Sequence, residues 1–182
     1  KAMVQMSIGE MEQIRDFFNT EQSVRNYLLR IRRKTALLIA ISCQLGAMAA
    51  DAPAKVCALL YRYGYNVGMA FQIRDDILDL CGTEQELGKP PGSDLRQGNI
   101  TIPVIYALKE PERREELLRE LQRIQAADGQ TDVEPFLRLV RGSQGIAKAD
   151  ELAGKYIAKA IAALRTLPDI QAKSDLTRMA HF

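Results

Sequence analysis

The stretch FQIRDDILDLCG (residues 71–82) places Asp75, Asp76 and Asp79 among Phe71, Ile73, Ile77, Leu78 and Leu80. At about 100° per residue on a helix, Gln72, Asp75, Asp76 and Asp79 share one sector of roughly 100°. Val67, Ala70, Phe71, Ile73, Ile77 and Leu78 cover most of the remaining circumference. The pattern predicts a helix buried on most sides that carries one polar stripe.

Three carboxylates on one stripe repel each other. Removing them from water costs several kcal/mol each, on the order of magnitude known for buried ions, unless cations compensate. The stripe therefore faces something positive or something wet. Carboxylates at i, i+1 and i+4 offer hard oxygen ligands, which suit Mg²⁺, an ion that keeps waters and bridges carboxylate to phosphate. No alternating Asp/Asn ladder of an EF-hand is present, and no His or Cys stands at zinc-ligand spacing. An ordinary solvated acidic face is the plain alternative. The apolar remainder of the helix, the extension of the stripe by Gln72 and the lysine-bearing loop that follows all argue against it.

Outward from this stretch the signal is helical. Residues 1–18 carry Met3, Met6, Ile8, Met11, Ile14, Phe17 and Phe18 at helical spacings. Residues 22–50 read as one long helix, wholly apolar after Lys34. Pro53 opens the helix that runs to 81, where Gly64 and Gly68 mark either local weakness or close packing. GTEQELGKPPGSDLRQGNIT (82–101) holds four glycines and two prolines and reads as a loop. ITIPVIYAL (100–108) has strand-like composition, but Pro103 and its helical neighbours favour a helix. Further helices are expected over 111–127, 132–142, 143–167 and 169–180. Along 111–127, Leu117, Leu118, Leu121 and Ile124 mark the apolar face. The class is all-α, a helical bundle in a single domain over residues 1–182.

Composition narrows the partners. The chain has 182 residues, 47% of them hydrophobic, and a net charge of +2. That charge leaves no footprint for nucleic-acid binding. The run ALLIAISCQLGAMAA (36–50) is shorter than the ~20 residues of a membrane span and reads as a buried helix, so no transmembrane segment is expected. Cys43, Cys57 and Cys81 fit neither a disulfide framework nor a metal site, which points to a reducing, cytoplasmic setting. His181, the sole histidine, receives no role.

Positive charge stands at two places. Lys34 and Thr35 interrupt a helix where it turns wholly apolar, and a buried lysine there calls for an anion. Lys89, in GKPPG, lies in the loop after the aspartate helix, with Asp94 and Arg96. A metal-bound diphosphate would satisfy carboxylates and lysines together. Arg30, Arg32 and Arg33 read as a solvated basic face.

Four ordered segments, GEMEQ (9–13), YLLRIRRKTALL (27–38), GMAFQIRDDILD (68–79) and LGKPPGSDLRQGNITIPVIYAL (87–108), resemble the C-terminal half of a trans-polyprenyl diphosphate synthase. DDILD resembles the second aspartate-rich motif of that family. SCQLGAMAA and the loop resemble the larger component of bacterial heptaprenyl or hexaprenyl diphosphate synthases. The resemblance implies an isoprenoid-synthase bundle that condenses isopentenyl diphosphate with an allylic diphosphate, head to tail, into a medium- or long-chain product.

By the same resemblance Asp75, Asp76 and Asp79 bind Mg²⁺ carried with the allylic diphosphate. Lys34, Thr35, Gln72 and Lys89 contact that diphosphate or its vicinity, with Asp75, Asp76, Lys34 and Lys89 as the catalytic set. Phe71 lines the reacting prenyl groups, and Asp94 is a polar position near the loop. The family also implies a dimer, either a homodimer or a heteromer with a small subunit. Asp75–Asp76 is the only adjacent aspartate pair in the chain, so the family's first aspartate motif is not among these residues. The expectation is a chain clipped at both ends and inactive alone. A non-catalytic helical subunit and a terpene-cyclase-like enzyme are the competing readings.

Overall fold

The helix predicted around the aspartates, over 53–81, is observed unbroken over the 28 residues Ala54–Cys81 and is designated α4. In this computed structural model, which describes residues 2–181, the other helices are α1 (Ala2–Arg15), α2 (Val24–Ile31), α3 (Leu37–Ala49), α5 (Glu84–Leu87), α6 (Ser93–Arg96), α7 (Ile102–Ala107), α8 (Pro111–Ala126), α9 (Glu134–Arg141), α10 (Gly145–Leu164) and α11 (Gln171–Met179). No strand occurs among the described residues, and the all-α expectation holds. None of these helices is long and apolar enough to cross a membrane.

Two expectations need correction. The long helix over 22–50 begins at Val24 and contains a π-helical segment, Arg32–Ala36, between α2 and α3. There the Leu37 N–H reaches back to the Arg32 carbonyl, a wider turn than the α-helix makes. Lys34 and Thr35 sit inside it. The 82–101 segment is not structureless. Thr83 and Glu86 form a reciprocal capping box that starts α5, and Gly88, at φ 66°, ends it. Ile102–Ala107 is helical as expected, with Pro103 in its first turn, where a missing N–H costs nothing.

The chain divides into two compact units. The first comprises Lys1–Glu10, Leu29–Gln72 and Leu152–Phe182. Its core joins Tyr63 and Ala70 of α4 to Ile157, Ala160, Ala163 and Leu164 of α10, with Ala180 alongside. The small residues allow close helix contact. A Cβ placed on Gly64 would lie 2.7 Å from the Ile39 carbonyl oxygen, and one on Gly68 would lie 2.7 Å from Ala36 Cα. Close packing, not weakness, is therefore what these two glycines provide. The Tyr63 hydroxyl donates to the Leu176 carbonyl at 2.7 Å, and burial pushes its pKa up to about 12.

The second unit comprises Met11–Leu28 and Ile73–Glu151. Its core takes Ile73 and Leu80 from α4, Leu95, Ile102 and Ile105 from the following turns, Leu117, Leu121 and Ile124 from α8, and Phe136 from α9. Leu118, assigned to the same face of α8, is only half-buried. Arg96 donates to the Gly129 and Thr131 carbonyls at 3.0 and 2.6 Å. It is thus engaged by backbone rather than offered to an anion.

The apolar surface is not fully covered. Leu38, Leu45 and Met48 lie on one side of α3 and are each about half exposed (47%, 55% and 55%). Met3, Val4, Met11 and Ile14 of α1 are more exposed still.

Gly68→Ala places a methyl group against the Ala36 backbone, which cannot swing aside. The expected loss is about 1–3 kcal/mol, the usual range for overpacking, read as a lower urea midpoint at unchanged slope.

Candidate functional site

The carboxylate stripe does not face one way. Asp76 and Asp79 are buried at 3% and 2% exposure, whereas Phe71 and Leu78 are 47% and 43% exposed. Asp75 lies on the exposed side with them. The expectation that Phe71 and Leu78 belong to a buried apolar surround is thus corrected. Asp76 and Asp79 turn inward because the second unit supplies their partners, and Phe71, Asp75 and Leu78, spaced i, i+4, i+7, form the open face.

Asp76 meets Tyr27 of α2, whose hydroxyl donates to Oδ2 at 2.6 Å. Tyr27 is fully buried. The Ser23 hydroxyl accepts the Asn26 N–H and starts α2, which orients that tyrosine. Tyr27 lies within YLLRIRRKTALL but reads in sequence as another core aromatic. Only its pairing across 49 residues identifies it as a partner of the aspartates.

Asp79 is held from three sides. Its Oδ2 accepts the backbone N–H of Asp94 at 3.1 Å. Its carbonyl accepts the Gly92 N–H at 2.7 Å. Lys89 Nζ lies 2.9 Å from Oδ1 as an ion pair. Oδ1 is buried, and the Lys89 ammonium is the cation that compensates it. Glycine is required at 92, where φ is 77° and the nearest Val133 and Leu137 methyl groups stand about 3 Å from any added Cβ. Asp94, predicted as a polar site position, thus contributes a backbone donor, and its carboxylate lies close enough to Lys89 to act on its charge.

Burial alone would lower the Lys89 pKa. The hydrogen-bond attraction and charge of Asp79, with the charges of Asp94 and Asp75, outweigh it and raise the pKa above the ordinary lysine value. Lys89 is therefore cationic throughout the neutral range and neutralises part of the aspartate cluster.

In the first unit, Thr35 Oγ1 donates to Gln72 Oε1 at 2.6 Å. The Gly68–Ala36 approach one turn earlier on α4 makes this reach possible. Lys34 is not the deeply buried cation expected. Its side chain is 32% exposed, and Nζ lies 3.4 Å from Glu10 Oε1. The anion it called for is in part supplied by GEMEQ itself. Gly9 makes room for this pairing, since a Cβ there would lie 3.0 Å from the Lys34 amide nitrogen. Arg30, expected in a solvated face, is buried at 5% exposure. It shares the inward side of α2 with Tyr27 and Ile31.

The three aspartates offer oxygen ligands, the type that suits a hard cation such as Mg²⁺. Among the described residues no three His, Cys, Asp or Glu side chains converge as a closed metal cage. Asp75, Asp76 and Asp79 are thus not brought together as one three-carboxylate ligand set. The buried Oδ1 of Asp79, paired with the Lys89 ammonium, still has a lone pair to offer such an ion.

Two measurements check this geometry. Tyr27→Phe removes the donor from a buried carboxylate and is expected to cost about 1–3 kcal/mol of stability in denaturant unfolding. The stability difference between wild type and Lys89→Met should stay constant from about pH 6 to 9. Because the folded pKa of Lys89 is raised, its contribution is complete below the unfolded value of about 10.4 and is lost as pH rises through the folded value.

Comparison with known proteins bears on the family of the chain. A family model described as polyprenyl synthetase matches residues 1–140. The chain is 47% identical over 182 residues to heptaprenyl diphosphate synthase component 2 of Bacillus subtilis (strain 168), covering 100% of this chain and 51% of that protein. It is 46% identical over 183 residues to the protein of the same name from Geobacillus stearothermophilus, covering 99% and 55%. The chain therefore spans about half the length of these curated relatives. Heptaprenyl diphosphate synthase from Staphylococcus aureus superposes with a TM-score of 0.87 at 35% identity, over 99% of this chain and 56% of that one. Polyprenyl synthase from Caulobacter crescentus CB15, complexed with calcium and isoprenyl diphosphate, superposes with a TM-score of 0.89 at 32% identity, over 100% and 55%. With its four motif segments, its all-helical fold and these matches, the chain belongs to the polyprenyl synthetase family.

Proposed function

We propose that this chain carries the second aspartate-motif side of a prenyltransferase active site. The reaction condenses isopentenyl diphosphate with an allylic diphosphate, head to tail, to a medium- or long-chain all-trans polyprenyl diphosphate. The observation that carries the reading is the pair Asp76 and Asp79. Both are buried, both are fixed by donors, and Asp79 is paired with the Lys89 ammonium. Burying two carboxylates so near a third is costly unless a cation completes the cluster.

Asp75, Asp76 and Asp79 would hold Mg²⁺, which, when bound, neutralises charge on the leaving diphosphate. Tyr27 and the Asp94 N–H fix the direction of the two buried carboxylates before substrate arrives. In the second unit Lys89 adds positive charge where the diphosphate charge grows as the allylic C–O bond breaks. In the first unit Lys34 and the Thr35–Gln72 pair offer polar groups to a diphosphate. Phe71, open at 47%, offers an apolar wall to the prenyl groups, which keeps water from the allylic cation. The isopentenyl double bond then attacks the cation, and a proton leaves to the released diphosphate.

The two units belong on this reading to one synthase domain, in keeping with the continuity of α4 through both. The reading also includes a dimer, with itself or with a small subunit. The exposed apolar sides of α1 and α3 support such an association. The three cysteines suit a reducing cytoplasm: Cys43 and Cys57 are half-buried and buried, and burial raises the thiol pKa of Cys43.

The decisive experiment uses the whole protein and labelled isopentenyl diphosphate. Asp75→Ala and Asp76→Ala should each lower turnover by about 100-fold or more, the scale of losing one charge-stabilising group. Unchanged turnover would assign catalysis elsewhere and leave this chain a helical accessory. The 182 residues alone should show no turnover, because the facing aspartate motif is not among them.

A further inference from the structure

A cationic cavity lies within the first unit. Arg32 of the π-helical segment, Tyr61, Arg62, Tyr65 and Asn66 of α4, and Lys159 of α10 line a cavity of about 460 Å³. All six belong to the first unit. None is a residue assigned to the prenyl reaction.

Three of the six lining residues are cationic, and no carboxylate is among them. Arg32, Arg62 and Lys159 form no ion pair with a carboxylate among the described residues. Lys159 instead lies over the Tyr156 ring, 5.2 Å from its centroid. Three like charges gathered from three elements repel, and they stay together at least cost when an anion joins them.

The tyrosines complete the site. Tyr61 and Tyr65 stand one turn apart and are half-buried, and their hydroxyls make no hydrogen bond to another described residue. Burial raises the Tyr65 pKa, and the nearby Arg32 charge opposes that rise. The hydroxyl therefore stays protonated and can donate. Asn66 is fixed by its Nδ2, which donates to the Arg62 carbonyl at 2.7 Å.

We propose that this cleft binds a phosphate-class anion through Arg32, Arg62 and Lys159, with the Tyr61 and Tyr65 hydroxyls as additional donors. Guanidinium groups and hydroxyls match the several acceptor oxygens of such a group. Free diphosphate and the headgroup of an anionic phospholipid share this chemistry.

The test measures both sources on the whole protein in EDTA, so that metal-held diphosphate does not contribute. Calorimetric titration with inorganic diphosphate forms one arm. Co-sedimentation with phosphatidylcholine vesicles containing phosphatidylglycerol forms the other. The Arg62→Glu/Lys159→Glu double variant alters two exposed side chains, and thermal melting checks its fold. Should the double variant melt early, Lys159→Gln alone is compared.

Binding in either arm that weakens about tenfold or more in the variant, yet persists in Lys89→Met, supports the site. The arm that responds names the source. Failure of wild type to bind either probe, or equal binding by the cleft variants, overturns the proposal.

Discussion

The approach of α4 to the π-helical segment and α3 at Gly64 and Gly68 is the contact on which the first unit depends. With Cβ positions 2.7 Å from the Ile39 carbonyl oxygen and from Ala36 Cα, no side chain larger than hydrogen fits there without movement. The two backbones lie close enough for Thr35 to reach Gln72 at 2.6 Å. Gly9 plays the matching part on α1, where it lets Glu10 meet Lys34. Small residues thus set the position of the polar ones. Stability and site geometry rest on the same contacts, so a substitution at Gly68 affects both.

In the second unit the governing constraint is the cost of buried charge. Asp76 and Asp79 lie deeper than many of the apolar residues around them, and each has specific compensation. A tyrosine hydroxyl serves Asp76; a backbone N–H and a lysine serve Asp79. These donors come from α2 and from the loop after α4, segments far apart in sequence. The capping box at Thr83, the left-handed Gly88 and the crowded Gly92 order that loop and so place Lys89 and the Asp94 N–H. A glycine- and proline-rich stretch that reads as irregular is therefore a shaped arm.

Burial, rather than helix placement, is what periodicity leaves open. The phase of α4 identifies its polar sector, yet the sector contains both buried Asp76 and exposed Asp75. Helical periodicity fixes angle, not depth. Charge alone groups Arg30 with Arg32 and Arg33, but its angle places it with Tyr27 and Ile31 on the inward side of α2. Tyr27 carries no polar signal at all, because a tyrosine is equally at home as a core aromatic until its hydroxyl finds a partner.

What the sequence by itself determined is the helical architecture, the register of the aspartates on α4 and the membership implied by four ordered motifs. These are local properties, set by the 3.6-residue period, by proline at helix starts and by glycine at turns. What only the tertiary structure decided is which carboxylates are buried, that Tyr27 and the Asp94 backbone hold them, that Lys34 pairs with Glu10, and that Arg32, Arg62 and Lys159 meet in one cleft. Those depend on contacts between residues tens of positions apart, and no spacing rule along a chain encodes the distance between two of its helices.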